Sequence, residues 1–244
     1  MSMFKGMNTE GMEETKDTLG GFRALDSDAY EGVVKLAYAG RSSGGASFIG
    51  VHLMIDGKEY RENLYYTNKQ GENFYIDKNT GKKRPMPAFT NVDELCLLTT
   101  GQPLENQETE ERIVKLYDPT SKTETNQSVP VLIDVMDKPI IAGILKEIVD
   151  KTQKQPDGSY AATGETREEN RVNKFFHAET QGTVNEYKHD QKLGEFYENW
   201  VAQNKGSVSD RSTKVGAAGA RPGAPGAPAG APPQSTGKSL FNRN

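Results

Sequence analysis

Alternation of apolar and polar residues early in the chain constrains its fold more than any other feature. In residues 48–55, FIGVHLMI, aliphatic residues occupy every second position. Successive side chains of a β-strand point to opposite faces, so this period of two predicts a strand with one face in a core. The dipeptide Asp56-Gly57 follows and predicts a tight hairpin turn. Residues 58–67 alternate again, and we predict that they return antiparallel to the first strand, with Tyr60 and Tyr66 facing the core.

Further segments carry a strand or a helix pattern, and strands outnumber helices. Strands are predicted at residues 30–38, 113–117, 140–149 and 172–176. Short helices are predicted at residues 90–98, with an Asn or Thr cap and an acidic first turn, at residues 128–136, with Ser128 as cap, and at residues 195–202. The polar residues 155–170 predict a loop. The whole pattern predicts a mainly β protein with a few short helices, arranged as a Greek-key barrel similar to an OB-fold.

The composition changes near Gly206, where the folded domain is expected to end. Residues 216–233 are almost entirely Gly, Ala and Pro, and such a segment cannot bury enough apolar surface to offset its ordering entropy. We therefore predict an N-terminal arm at 1–21, one domain at 22–205 and a disordered basic tail at 206–244. The tail ends with Leu240 and Phe241 between two basic residues. This tip is either a partner-binding site or a plain disordered end, and the sequence favours neither.

Cysteine content and hydropathy exclude several classes of protein. The single cysteine, Cys96, cannot form an intramolecular disulfide or a cysteine-based zinc site, and it fits a reducing compartment. The apolar runs are shorter than the ~18–20 residues that a membrane-spanning helix requires. We therefore expect a cytoplasmic protein that does not enter the membrane.

Two short motifs resemble enzyme signatures without the required context. Residues 40–44, GRSSG, match G-x-S-x-G, but the next segment is a strand and not the helix of a nucleophile elbow. Residues 237–239, GKS, lack the earlier glycine of a phosphate-binding loop. The three histidines, His52, His177 and His189, lack the spacing of metal ligands. We therefore expect neither catalysis nor a metal or cofactor.

A basic stretch rich in aromatic residues stands out between residues 58 and 84. The chain has a net charge of −4, yet this stretch carries seven basic residues against four acidic ones and five aromatic rings. Single-stranded nucleic acid is bound by cations that follow the phosphates and by exposed rings that stack on bases. The alternative is that Tyr60 and Tyr66 belong to the core and that residues 78–84 form an ordinary turn.

The candidate contacts follow from this stretch and from the strand that precedes it, and Arg41 in the Gly/Ser hairpin loop is a weaker candidate at the mouth of the groove. Phosphates are assigned to basic side chains, and bases to aromatic ones. His52 shares a strand face with Phe48 and could contact a base, although a surface histidine is the expected role. The candidate nucleic-acid-binding residues are Arg41, Phe48, His52, Arg61, Tyr65, Lys69, Phe74, Tyr75, Lys78, Lys82, Lys83 and Arg84.

Several segments together resemble the single-stranded DNA-binding proteins of tailed bacteriophages. The resemblance spans about residues 1–210, and its most specific part is 60–98. It is carried by the segments YEGVVKLAYAGRSSGGA, GKEYRENLYYTNKQGENFYIDKNTGKKRPMP, DELCLLTTGQPL, VPVLIDVMDKPI and NKFFHAETQGTVNE.

The resemblance implies an OB-fold that coats single-stranded DNA during phage replication and recombination, without catalysis. It also implies a flexible C-terminus that recruits replication or recombination proteins or an RNA polymerase, and a location in the host cytoplasm. Many such proteins end in an acidic tail, whereas residues 206–244 carry a net charge of +4. The sequence also allows an alternative function, an acidic β-domain adaptor that binds a protein partner and no nucleic acid.

Overall fold

The computed structural model describes residues 24–118, 121–155 and 160–213. The protein is mainly β, as predicted from the sequence, and within these residues three α-helices and two 3-10 turns interrupt the strands. In chain order the elements are β1 (Asp28–Arg41), β2 (Ser47–Ile55), β3 (Lys58–Tyr65), β4 (Phe74–Ile76), β5 (Lys83–Pro85), α1 (Pro87–Thr100), a 3-10 turn (Leu104–Asn106), β6 (Thr109–Asp118), β7 (Thr123–Leu132), a second 3-10 turn (Ile133–Val135), β8 (Pro139–Lys154), β9 (Tyr160–His177), α2 (Val184–Lys188), α3 (Glu195–Asn204) and β10 (Val208–Asp210).

Strand β1 connects the two parts of the main sheet. Its first half pairs antiparallel with β8, and its second half pairs with β2, which in turn pairs with β3. A register shift between Val34 and Leu36 marks a bulge in β1, and such bulges bend a strand and increase its twist. Beyond the bulge, Tyr38 pairs with Val131 of β7, and β6 continues the sheet beyond β7. One strand therefore serves both parts of a strongly curved sheet.

The described strands do not close into a barrel, because the edge strands of the sheet are not paired with each other. On the far side of β8 lies β9, and β10 runs parallel to β8. Within residues 24–118, 121–155 and 160–213, no ladder joins β3 to β6 or β9. The mainly β class is thus confirmed, whereas closure into a Greek-key barrel stays a prediction.

The alternating residues of β2 lie where the sequence predicted. Ile49, Val51, Leu53 and Ile55 are all buried in the main core, together with Leu64 of β3 and residues of α1. Tyr60 and Tyr66 pack against the same core, as predicted. The turn between β2 and β3 has positive φ at both Asp56 and Gly57, which is the backbone that such a hairpin requires.

Helix α1 covers one side of this core, but its beginning differs from the prediction. It starts four residues before Asn91, with Met86 as N-cap and Pro87 in the first position, and no acidic residue lies in its first turn. Proline is favoured there because its fixed φ suits a helix start. The side chain of Asn91 donates to the carbonyl of Val172 and does not cap the helix. The predicted Asn or Thr cap was therefore wrong.

Two other predictions were wrong because the segments pair as β-hairpins with the strand that precedes them in the chain. Residues 128–136 form the end of β7 and a 3-10 turn, since β7 pairs with β6 over ten positions and Val131 is buried in a second cluster with Tyr38 and Leu116. The supposed polar loop contains the first half of β9, which pairs with β8. Ion pairs such as Lys151–Glu165 link these two strands.

A third cluster lies under α3, close to its predicted position. Trp200 packs with Phe176 and Ile141, and its indole nitrogen donates to Asn173. Strand β10 and Arg211, whose guanidinium contacts Glu147 at 2.7 Å, lie past residue 205, in the segment assigned to the tail.

In the described part of the chain no helix has the length and apolar character needed to cross a membrane. The predicted arm at 1–21 and the tip residues Leu240 and Phe241 lie outside the described residues.

Candidate nucleic-acid interface

Aromatic rings line the face of β1, β2 and β3 that lies opposite the main core. Tyr38 meets Phe48 edge-on at 6.1 Å between ring centroids, and Phe48 meets Tyr65 at 5.3 Å. Tyr38 is buried, Phe48 is half-buried, and Tyr65 is 42% exposed. The row therefore runs from the interior to solvent, and Tyr65 presents the accessible ring.

Two glycines let these rings lie close to the neighbouring strand. Gly40 pairs with Phe48, and Gly50 pairs with Tyr38. A Cβ at Gly40 would lie 2.3 Å from the Phe48 ring, and a Cβ at Gly50 would lie 2.3 Å from the Tyr38 ring. Each ring thus covers a cross-strand glycine, a pairing known to support glycine in sheets.

His52 lies on this face but is buried. It is 6% exposed, packs edge-on against Tyr38 at 5.8 Å, and its Nδ1 contacts Glu59 at 3.0 Å. Burial lowers the pKa of His52, although Glu59 opposes that change. The expectation of a surface histidine was wrong, because Tyr38 covers the ring. Base contact by His52 is hindered for the same reason.

Arg61 lies at the centre of an ionic network at the edge of the aromatic row. Its Nε and Nη2 contact Oε2 of Glu59 at 2.7 and 2.5 Å, and its Nη1 donates to Oε1 of Glu124 at 2.9 Å. The hydrogen bond to Glu124 and the one to Glu59 raise the pKa of Arg61. Arg61 also holds the pKa of Glu124 below its usual range. Arg61 is 43% exposed, so solvent reaches this network.

The loop between β1 and β2 adds two further cations. Residues 42–46 form the hairpin loop predicted for the GRSSG segment, and Arg41 Nε donates to the Gly45 carbonyl at 3.0 Å. Lys69 approaches the same loop, with its Cε 3.6 Å from the position that a Cβ on Gly44 would take. Arg41 pairs with Ser47 and Gly40 with Phe48, so Arg41 lies at the loop end of the hairpin, on the face opposite the Phe48 ring, because adjacent residues of a strand point to opposite faces.

The remaining candidates form a separate small hairpin of β4 and β5. Tyr75 pairs with Arg84, and Phe74 pairs with Pro85. Lys83 Nζ lies 4.1 Å from the centroid of the Phe74 ring, a cation–π contact. Arg84 contacts Asp77 at 2.6 Å.

The turn of this hairpin is built by Asp77. The backbone amides of Asn79 and Thr80 donate to its carboxylate, and these bonds together with Arg84 lower the pKa of Asp77. Lys78 and Lys82 follow in the exposed turn. Residues 78–84 thus form an exposed basic turn, whose phosphate contacts stay a prediction, and Tyr75 is half-buried.

Sequence reasoning missed several residues of this surface. Tyr38 lies in the aromatic row, Glu59 and Glu124 hold Arg61, and Tyr117 is 59% exposed opposite Glu124 on β6. Glu59 had a signal, because residues two apart on a strand share a face. Glu124 is 63 positions from Arg61 and had none.

Other features of the described chain do not suit a polyanion or a metal. A cleft of about 560 Å³ beside α2 and α3 is lined by both signs of charge, including Lys174, Lys192, Glu186 and Glu195. Residues 24–118, 121–155 and 160–213 contain no group of three or more His, Cys, Asp or Glu side chains that could hold a metal ion.

A scan against protein-family models finds no match to the chain, and a comparison with curated protein sequences finds none.

Proposed function

We propose that the protein binds single-stranded DNA without strong sequence preference. The observation that carries this proposal is that Arg61 and the exposed Tyr65 lie on one face of β3, in line with the aromatic row, while Arg41 and Lys69 lie at the β1–β2 loop of the same hairpin. Stacking on an exposed ring is tolerant of base identity, and cations beside it follow the phosphates. The β4–β5 hairpin adds a second basic and aromatic element.

The biological role that we propose follows the family resemblance. The protein would coat and protect single-stranded DNA during phage replication and recombination, and its C-terminal tail would recruit replication, recombination or RNA polymerase proteins. The protein needs no catalytic group for this role.

The phosphate contacts are tested by the salt dependence of binding to an oligo(dT). For single strands the log–log slope is about −0.7 per phosphate contact, so a triple alanine variant of Lys82, Lys83 and Arg84 should bind more weakly and with a shallower slope. A charge-matched control replaces Lys151, Lys154 and Arg167 of the β8–β9 hairpin with alanine. Equal slopes for the wild type and the Lys82/Lys83/Arg84 variant would contradict the assignment.

Stacking is tested by removing one ring at a time. Tyr65→Ala should weaken binding by about 1–3 kcal/mol, and Tyr75→Ala by a similar amount if its ring turns outward on binding. Tyr160→Ala, which removes an exposed ring from β9, is the matched control.

An electrophoretic gel shift with single-stranded DNA also separates this function from a protein-interaction adaptor, which predicts no shift at low salt.

A further inference from the structure

The two carboxylates on Arg61 occupy the positions from which a phosphate would be bound. All three guanidinium nitrogens, Nε, Nη1 and Nη2, contact Glu59 or Glu124 within 2.9 Å. Carboxylate and phosphate oxygens accept from the same planar fork of guanidinium donors. A phosphate can therefore use Arg61 fully only if a carboxylate leaves.

The two carboxylates differ in how firmly they are held. Glu59 lies on the same strand as Arg61 and also contacts the buried His52. Glu124 comes from β7, is 39% exposed, and has Lys115 at 3.7 Å as its other cation. Ion pairs between exposed side chains contribute little free energy, so the Arg61–Glu124 contact is the one that a phosphate can displace.

We propose that Glu124 is an internal competitor for DNA phosphate at Arg61. In the free protein Glu124 occupies the Nη1 side of the guanidinium, and DNA binding exchanges this carboxylate for a phosphate. The inference rests on the proposed function, and it adds a residue that lowers affinity for DNA. Such a residue keeps binding readily reversible and disfavours weak anions.

The test measures the affinity of the full chain for fluorescein-labelled oligo(dT) across a salt series. Glu124→Gln keeps the size of the side chain and removes its charge. Glu110→Gln is the matched control, because Glu110 is on the same β6–β7 hairpin and also pairs with an arginine, Arg112, at 2.8 Å. Both variants remove one negative charge, so the general increase in electrostatic attraction to DNA is the same for both and cancels in the comparison. Far-UV circular dichroism verifies that each variant is folded.

We expect Glu124→Gln to bind about two- to fivefold more tightly than Glu110→Gln, the range that an exposed ion pair corresponds to. The log–log salt slope of Glu124→Gln should be steeper than that of Glu110→Gln by up to about 0.7. The reason is that the phosphate at Arg61 then releases its counterion without having to displace the Glu124 carboxylate. In an Arg61→Ala background the advantage of Glu124→Gln over Glu110→Gln should vanish.

Two results would overturn the inference while the proposed function stands. One is that the wild type binds oligo(dT) and that Glu124→Gln and Glu110→Gln bind it with equal affinity. The other is an advantage of Glu124→Gln that persists with Arg61→Ala, since this would assign the effect to Lys115. Failure of the proposed function looks different, because then neither the wild type nor any variant binds oligo(dT) at low salt.

Discussion

The carboxyl group of Glu62 should make the stability of this protein fall as the pH rises towards neutrality. Glu62 lies on β3 on the same side as Tyr60 and Leu64, facing the main core. Its Oε2 accepts from the Tyr60 hydroxyl at 2.6 Å and from the Val172 amide at 2.8 Å. Burial raises the pKa of Glu62 to about 7, even though both hydrogen bonds oppose this rise.

The sign follows from the protons bound in each state. The unfolded chain releases the Glu62 proton near its ordinary pKa of 4.5, whereas the folded protein holds it up to about pH 7. Between these values the folded state binds more protons, so the free energy of unfolding decreases as the pH rises, and it becomes constant above the window. The difference between 4.5 and about 7 corresponds to at most about 3 kcal/mol.

Urea unfolding of the wild type and of Glu62→Gln at several pH values from 4.5 to 8 measures this effect. The glutamine oxygen can still accept both hydrogen bonds, but the side chain does not titrate. We expect Glu62→Gln to gain up to about 3 kcal/mol relative to the wild type between the two ends of the series. Glu108→Gln, at an exposed position before β6, controls for the loss of one charge. A difference between Glu62→Gln and wild type that stays constant across the series would refute the reasoning.

Three further outcomes follow from the packing. Gly50→Ala should lower the free energy of unfolding by about 1–3 kcal/mol, because the new Cβ would lie 2.3 Å from the Tyr38 ring, and an unchanged urea midpoint would contradict this. Cys96 is buried, and burial raises its pKa to about 12, so Ellman's reagent at pH 8 should label it only after unfolding. Lys174→Met should destabilise the fold by about 3–5 kcal/mol, because it leaves the buried carboxylate of Glu94 without the ammonium that now lies 2.5 Å away. Adding Glu94→Leu should recover part of that loss in thermal unfolding, and no recovery would count against a paired-charge explanation.

Local pattern predicted the strands that meet through short turns. Strands β1, β2 and β3 follow each other with short connections, and the positive φ of Asp56 and Gly57 is a local property of that dipeptide. The packing of Ile49, Val51, Leu53 and Ile55 in the main core follows from the period of two. Helix α1 was also located, although its start depended on Pro87 and not on a polar cap.

Two segments whose strand character depends on cross-strand pairing were misread. The apolar run of β7 looks equally like a short helix, and pairing with β6 decided in favour of a strand. The polar first half of β9 has no local strand signal, and pairing with β8 orders it. Propensity is a weak prior wherever such pairing is available.

The candidate surface divides in the same way between sequence and tertiary structure. The sequence by itself determined which residues alternate, where the hairpin turns occur, and that cations and aromatic rings concentrate between residues 58 and 84, because these are properties of neighbouring positions. Only the tertiary structure decided that Tyr38 buries His52, that Gly40 and Gly50 accept flat rings, and that Glu124 reaches Arg61. The ring contacts depend on the register of the β1–β2 hairpin, and the Glu124–Arg61 contact depends on how the sheet brings β7 to β3, and neither is contained in the alternation of residues along one strand.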